Sequence, residues 1–204
     1  MDYLTIEGSI SATLEIKRSV FICNLKNIDS FDEGMEYVKG ISAKYNDARH
    51  NCYAIISRGG EQKFSDDGEP QGTAGNPILQ TLKNKNLSDV VAVVTRYFGG
   101  IKLGASGLIG AYTKAVAQAI ENAKIITKKE CVIGKSQASY AEYQNLLRLV
   151  KDTEIRVLDT NYGDNVEFVL SAPLGIKEES EQLFAKATNG QRTINWTEKK
   201  YLKY

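Results

Sequence analysis

Histidine and cysteine are scarce in this 204-residue chain, at one and three copies. With His50 as the sole histidine, any histidine acid or base chemistry must fall on it. Cys23, Cys52 and Cys131 sit in unrelated segments without C-x-x-C spacing. An odd, scattered count excludes a disulfide framework and a thiolate zinc site, so free thiols are expected. Charge of one sign is also lacking. Lys and Arg total 26 against 25 Asp and Glu, so no global field drives the protein onto nucleic acid or membrane, and any such affinity must be local. No stretch approaches the roughly 18 apolar residues that span a bilayer. The opening Met1-Asp2-Tyr3-Leu4-Thr5-Ile6-Glu7 has neither the cationic nor the apolar region of a secretory leader. A cytoplasmic protein with no membrane partner is expected.

What is present is the composition of a globular protein, 42% hydrophobic and 25% charged. Ile10 to Ile16 and Ser19 to Leu25 read as strands, with Lys17-Arg18 at a turn. Ser30-Phe31-Asp32-Glu33 fits a capping box, and Phe31, Met35, Val38 and Ile41 then keep helical spacing. Strands over Asn51 to Ser57, Gln62 to Ser65 and Val90 to Thr95 follow, with a short helix over Pro77 to Asn84. Leu108, Tyr112, Ala115, Ala119 and Ala123 mark one face of a long helix that Ser106 would cap. The polar patch Lys128-Lys129-Glu130 suits a boundary between domains at 1–128 and 129–204. Beyond it come strand Cys131 to Gln137, a capping box at Ser139 to Glu142, a helix, strands Glu154 to Tyr162 and Val166 to Ser171, a helix over Ile176 to Ala187 and strand Thr193 to Tyr201. That order, β-α-β-β-α-β, is ferredoxin-like.

Three polar segments are candidates for function. Residues 96 to 110, Arg-Tyr-Phe-Gly-Gly-Ile-Lys-Leu-Gly-Ala-Ser-Gly-Leu-Ile-Gly, join a buried strand to a helix start. Glycines admit a ligand close to backbone N–H groups, and a helix start leaves such donors free beside a partial positive charge, so an anion such as phosphate is favoured. The spacing matches neither G-x-x-x-x-G-K-[ST] nor G-x-G-x-x-G, so a plain tight turn is equally open and no cofactor is expected. The second segment is Ser65-Asp66-Asp67-Gly68-Glu69-Pro70-Gln71-Gly72-Thr73-Ala74-Gly75. Asp66, Asp67 and Glu69 could hold a hard cation or a basic partner, or the segment could be a solvated Asx-type turn. The third is Arg49-His50-Asn51-Cys52-Tyr53, where strand alternation puts His50 and Cys52 on one face. A Cys/His nucleophile or a half-buried strand are both compatible with it.

Together, Glu15-Ile16-Lys17-Arg18-Ser19-Val20-Phe21, Ala48-Arg49-His50-Asn51-Cys52, the 65–75 segment and Val93-Val94-Thr95-Arg96-Tyr97-Phe98-Gly99-Gly100-Ile101-Lys102-Leu103-Gly104 resemble the IMPACT/YigZ family, in its bacterial two-domain form. The resemblance runs in order over about residues 15 to 115. It implies an α+β chain whose first domain is like the second domain of ribosomal protein S five. It implies a ferredoxin-like second domain like a C-terminal domain of elongation factor G. Eukaryotic members regulate translation by competing for the activator of a kinase, through a further domain that this sequence lacks.

The expected function is therefore a translation-associated regulator or RNA- or ribosome-binding protein with an anion-binding glycine loop. Its binding residues would be Arg49, Asn51, Arg96, Gly99, Gly100, Lys102, Gly104 and Ser106. Local charge agrees, since Lys83, Lys85, Arg96, Lys102 and Lys114 face only Asp89 between residues 75 and 114, while 61 to 69 is acidic. Two alternatives stand beside it. One is an enzyme on a phosphate-bearing small molecule, with His50, Asp66, Asp67 and Glu69 as catalytic candidates. The other is a protein-interaction adaptor, which a sheet face rich in Tyr140, Tyr143, Tyr162, Tyr201 and Tyr204 would favour. The six polar residues Arg49, His50, Asp66, Asp67, Glu69 and Arg96 are expected to converge on one cleft.

Overall fold

Period-two patterning and short turns make the first half of the chain a sheet. The structure, a computed structural model, describes residues 2–204. Strands β1 (Tyr3–Ile6), β2 (Ser9–Ile16) and β3 (Ser19–Asn27) lead into helix α1 (Phe31–Lys44). Strands β4 (His50–Ile56) and β5 (Gln62–Ser65), helix α2 (Gly75–Asn84), strand β6 (Val90–Tyr97) and helix α3 (Gly104–Asn122) follow. β2, β3, β6, β4 and β5 lie side by side in that order, every neighbour antiparallel. The middle strand β6 is buried from Val90 to Arg96, as an apolar run covered on both faces must be. One face of the sheet packs α2 and α3 through Phe21, Val94, Ile78, Leu82 and Tyr112. The other packs α1 through Ile28, Val38, Ile41, Val91 and Val93.

The turns follow local chemistry. Lys17 and Arg18 both have left-handed φ, 47° and 65°, the geometry by which a two-residue turn matches the twist of its hairpin. Ser30 caps α1, its hydroxyl accepting the Glu33 N–H at 3.1 Å. Only half of the expected capping box forms there: Glu33 instead accepts from the Asp29 N–H at 2.7 Å and from Lys26 Nζ at 2.6 Å.

The second half comprises β7 (Ile125–Ala138), α4 (Tyr140–Val150), β8 (Arg156–Tyr162), β9 (Val166–Pro173), a 3-10 turn at Leu174–Ile176, α5 (Lys177–Ala187) and β10 (Asn195–Lys203). β10 pairs with β7, β7 with β9 and β9 with β8, all antiparallel. With the first and third strands central, this is the ferredoxin-like arrangement, and the chain is α+β throughout. Tyr143, Leu146, Phe168, Leu170 and Phe184 form its core between sheet and helices. The capping box at Ser139 and Glu142 is complete.

Contacts divide the chain into Tyr3–Thr127 and a second unit of Asp2 with Lys128–Tyr204. The division carries no linker. Lys128, Lys129 and Glu130, read from sequence as a polar boundary patch, lie inside the unbroken strand β7, paired with Lys203, Leu202 and Tyr201. Long charged side chains can run along a strand while its backbone completes the ladder, so the polar patch forms no linker. Among the described residues no helix is long and apolar enough to cross a membrane.

Candidate functional site

The acidic segment is built by its backbone. Ala74, at the start of α2, has no side chain with which to cap that helix. Asp66 supplies the cap from a distance: Oδ1 accepts the Ala74 and Gly75 N–H groups at 2.9 and 2.8 Å, and Oδ2 accepts that of Gly72 at 2.7 Å. Burial alone would raise the Asp66 pKa, but these three donors outweigh it and hold the carboxyl below its ordinary value. Asp67 Oδ2 accepts the Asn51 N–H at 2.6 Å. These contacts favour the turn reading of the segment. Both Asp66 oxygens and Asp67 Oδ2 accept amides, and no cluster of three or more potential metal ligands exists among the described residues.

Glu69 is different. Its side chain is 3% exposed, and Oε1 accepts from Arg96 Nη1 at 2.7 Å and from the Tyr112 hydroxyl at 2.8 Å. Arg96 is 8% exposed, its guanidinium lying 5.5 Å from the Phe21 ring centre and 5.7 Å from that of Phe98. The register explains the meeting, since Arg96 stands opposite Phe21 on β3 and His50 on β4, all three on the face that carries α3. Arg96, one of the expected binding residues, is a buried partner of Glu69. Its Nε is buried without a hydrogen-bond partner.

His50 Nδ1 lies 2.8 Å from the Asp67 carbonyl oxygen. A carbonyl can only accept, so Nδ1 carries a proton and Nε2 is the acceptor of the neutral ring. Cys52 is held as a thiol. Burial, opposed by its contact with Tyr112, pushes its thiol up to about 12, with its sulfur 2.9 Å from the Asp66 carbonyl and 3.4 Å from the Tyr112 hydroxyl.

The glycine loop is shaped by close approach. A Cβ on Gly99 would lie 2.0 Å from the Arg18 carbonyl group, and Gly99 N–H donates to Ser19 Oγ at 3.2 Å. Gly100 and Gly104 adopt left-handed φ of 85° and 72°. Helix α3 begins at Gly104 after Leu103, which gives no side-chain cap. Ser106 is therefore in the first turn and is not the expected N-cap; the left-handed Gly104 lets the helix begin three residues sooner. The first N–H groups of α3 are left to solvent or ligand.

These elements enclose a cavity of about 410 Å³ lined by Arg49, His50, Glu69, Pro70, Arg96, Phe98, Lys102, Leu103, Gly104, Ala105 and Leu108. Four of the six residues expected in one cleft, Arg49, His50, Glu69 and Arg96, line it; Asp66 and Asp67 do not. Asn51 is not in its wall either, being buried with its amide on Thr95 and the Tyr45 carbonyl. Gly99, Gly100 and Ser106 also lie outside the lining. Sequence reasoning missed Phe98, 55% exposed at the rim, and Tyr112, whose hydroxyl fixes Glu69. An aromatic residue beside paired glycines was the available signal for Phe98; for Tyr112 helical periodicity disclosed only a buried ring. In the second unit Tyr140 and Tyr162 are exposed and stacked, with ring centres 6.2 Å apart, whereas Tyr143 is buried.

With the geometry in hand, comparisons place the chain among known proteins. Residues 17–120 match the family model described as the Impact N-terminal domain, and 137–191 match a domain of unknown function (DUF1949). The chain is 35% identical over 202 residues to "IMPACT family member YvyE" of Bacillus subtilis, covering 98% of this chain and 93% of that one. It is 33% identical over 164 residues to "IMPACT family member YigZ" of Escherichia coli, covering 78% and 80%. A solved structure titled "Crystal structure of an hypothetical protein" superposes with a TM-score of 0.64 at 29% identity, over 97% of this chain and 98% of that one.

Proposed function

The chain belongs to the IMPACT family, and from that premise we propose that it is a cytoplasmic, translation-associated protein that binds RNA at the cavity beside α3. One observation carries the reading: the exposed cations Arg49 and Lys102 share one cavity wall with the uncapped start of α3 at Gly104. Two exposed cations and a helix N-terminus suit phosphate, and an exposed aromatic at the rim suits a nucleic acid better than a bare anion. Arg96 has no part in phosphate binding, because its charge is already matched by Glu69.

Titrating the protein with single-stranded RNA at two salt concentrations tests this. Replacing Arg49 and Lys102 by Ala should weaken binding and flatten its logarithmic salt slope by about 1.4 for two lost contacts. Absence of binding at low salt would sink the reading. A second one, an enzyme on a phosphate-bearing small molecule, is favoured by the cavity volume, which lies within the range of roughly 300–1,000 Å³ usual for such sites. It would show as binding or turnover of a small phosphate compound without RNA affinity.

A further inference from the structure

We propose that this cavity accepts an unpaired nucleobase bearing N–H donors, guanine above all, and discriminates against uracil. The inference rests on the RNA-binding reading above and adds base selectivity to it. Phosphate alone does not account for the floor of the cavity, because an anion would meet the Glu69 carboxylate there. Glu69 spends Oε1 on both Arg96 and Tyr112. Its Oε2 makes no hydrogen bond among the described residues, although the side chain is 3% exposed. A carboxylate oxygen that lines the cavity with no donor of its own is free to accept one from a ligand. His50 presents a second acceptor, Nε2, since Nδ1 is bound to the Asp67 carbonyl. Arg96, itself more than nine-tenths buried in the same wall, keeps an unpartnered Nε. The floor of the cavity is thus under-satisfied and rich in acceptors, whereas its rim is cationic.

A nucleotide has the matching polarity. The Watson–Crick edge of guanine carries N1–H and an exocyclic amine, so it can donate to Glu69 and His50 together. Uracil offers a single N–H between two carbonyls, which would confront those acceptors. Phe98, 55% exposed, supplies a face on which the base stacks, with the Arg96 guanidinium 5.7 Å from its centre. Pro70, Leu103 and Leu108 complete an apolar wall, and Arg49, Lys102 and the α3 amides remain for the phosphate. Reading an unstacked base edge while clamping its backbone is how sequence-specific recognition of single-stranded RNA generally works.

The test compares the pentamers UUGUU and UUUUU by fluorescence anisotropy at low salt, with GMP and UMP titrated separately. The G-containing pentamer should bind about tenfold tighter or more, the scale of one well-made base-edge contact. Glu69→Gln should bring that ratio close to one. Because Glu69 also holds a buried arginine whose loss of partner threatens folding, His50→Ala serves as an independent variant. It should reduce the ratio without disturbing the Glu69–Arg96 pair. Phe98→Ala should weaken both pentamers alike, since stacking tolerates any base. Equal, salt-dependent binding of both pentamers would overturn the base pocket and leave the RNA reading standing. GMP binding in preference to UMP without RNA binding would overturn the RNA reading and keep the pocket for a free nucleotide. No binding of any of these probes overturns both.

Discussion

Glu69 ties strand β6 to helix α3 through one carboxylate oxygen. Removing it strands Arg96 as a buried, uncompensated cation. Glu69→Ala should therefore cost about 3–5 kcal/mol in denaturant unfolding, whereas Tyr112→Phe, which removes one donor to the same oxygen, should cost about 1 kcal/mol. If both variants lose equal stability, the ion pair is not what makes Glu69 structurally important. Asp66 allows a prediction in pH. Its carboxyl is held below the ordinary 3.8 by the Gly72, Gly75 and Ala74 amides against the opposing effect of burial. A depressed folded-state pKa means that its contribution is present above the unfolded value and lost as pH falls through the folded one. The stability gap between wild type and Asp66→Ala should be full at pH 6 and narrow below about pH 4, followed by urea midpoints across that range. A gap constant down to pH 2 would show that the carboxylate charge is irrelevant to the cap. Both roles were hidden in the sequence for one reason. An acid in a turn-rich segment can face water, metal or amide, and only the path from Gly72 to Gly75, folded back over Asp66, decides among them. The Glu69 partner lies 27 residues away on another strand, so composition disclosed the two charges without pairing them.

At the scale of elements, much more was legible. Each strand of the first sheet followed its apolar pattern because burial on known faces fixes register, and the second capping box formed as its residues require. Ser139→Ala should cost about 1 kcal/mol, read from thermal or denaturant unfolding. The start of α3 was misread because Ser106 is a good cap by type, while the turn that sets the helix depends on the left-handed Gly104. Gly99 belongs to the same lesson. Its contact is with the Arg18–Ser19 backbone, some 80 residues earlier, and no local pattern announces it. Gly99→Ala puts a carbon where the hairpin turn already sits, so a loss of about 3 kcal/mol or more is expected. A small effect would mean that the loop and the β2–β3 turn move apart freely.

At the scale of the whole molecule, the division at residues 127 and 128 falls near the start of β7, after its third residue, so a cut there must respect pairing as well as sequence. A fragment of 128–204 retains every β7–β10 and β7–β9 partner. It should unfold cooperatively by circular dichroism and near-ultraviolet signals together. A broad, probe-dependent transition would show that this unit depends on the preceding residues for its core.

The order β2-β3-β6-β4-β5 bears on how the chain is made. Its central strand is the last of the five to leave the ribosome. Until Val90–Tyr97 emerges, the β2–β3 and β4–β5 hairpins each present an open inner edge, β3 and β4, that nothing in the nascent chain can pair. Both edges carry apolar side chains already shaped for a neighbour. A chain stalled before residue 90 is thus the most adhesive species this sequence passes through, and synthesis of β6 closes both edges in a single step.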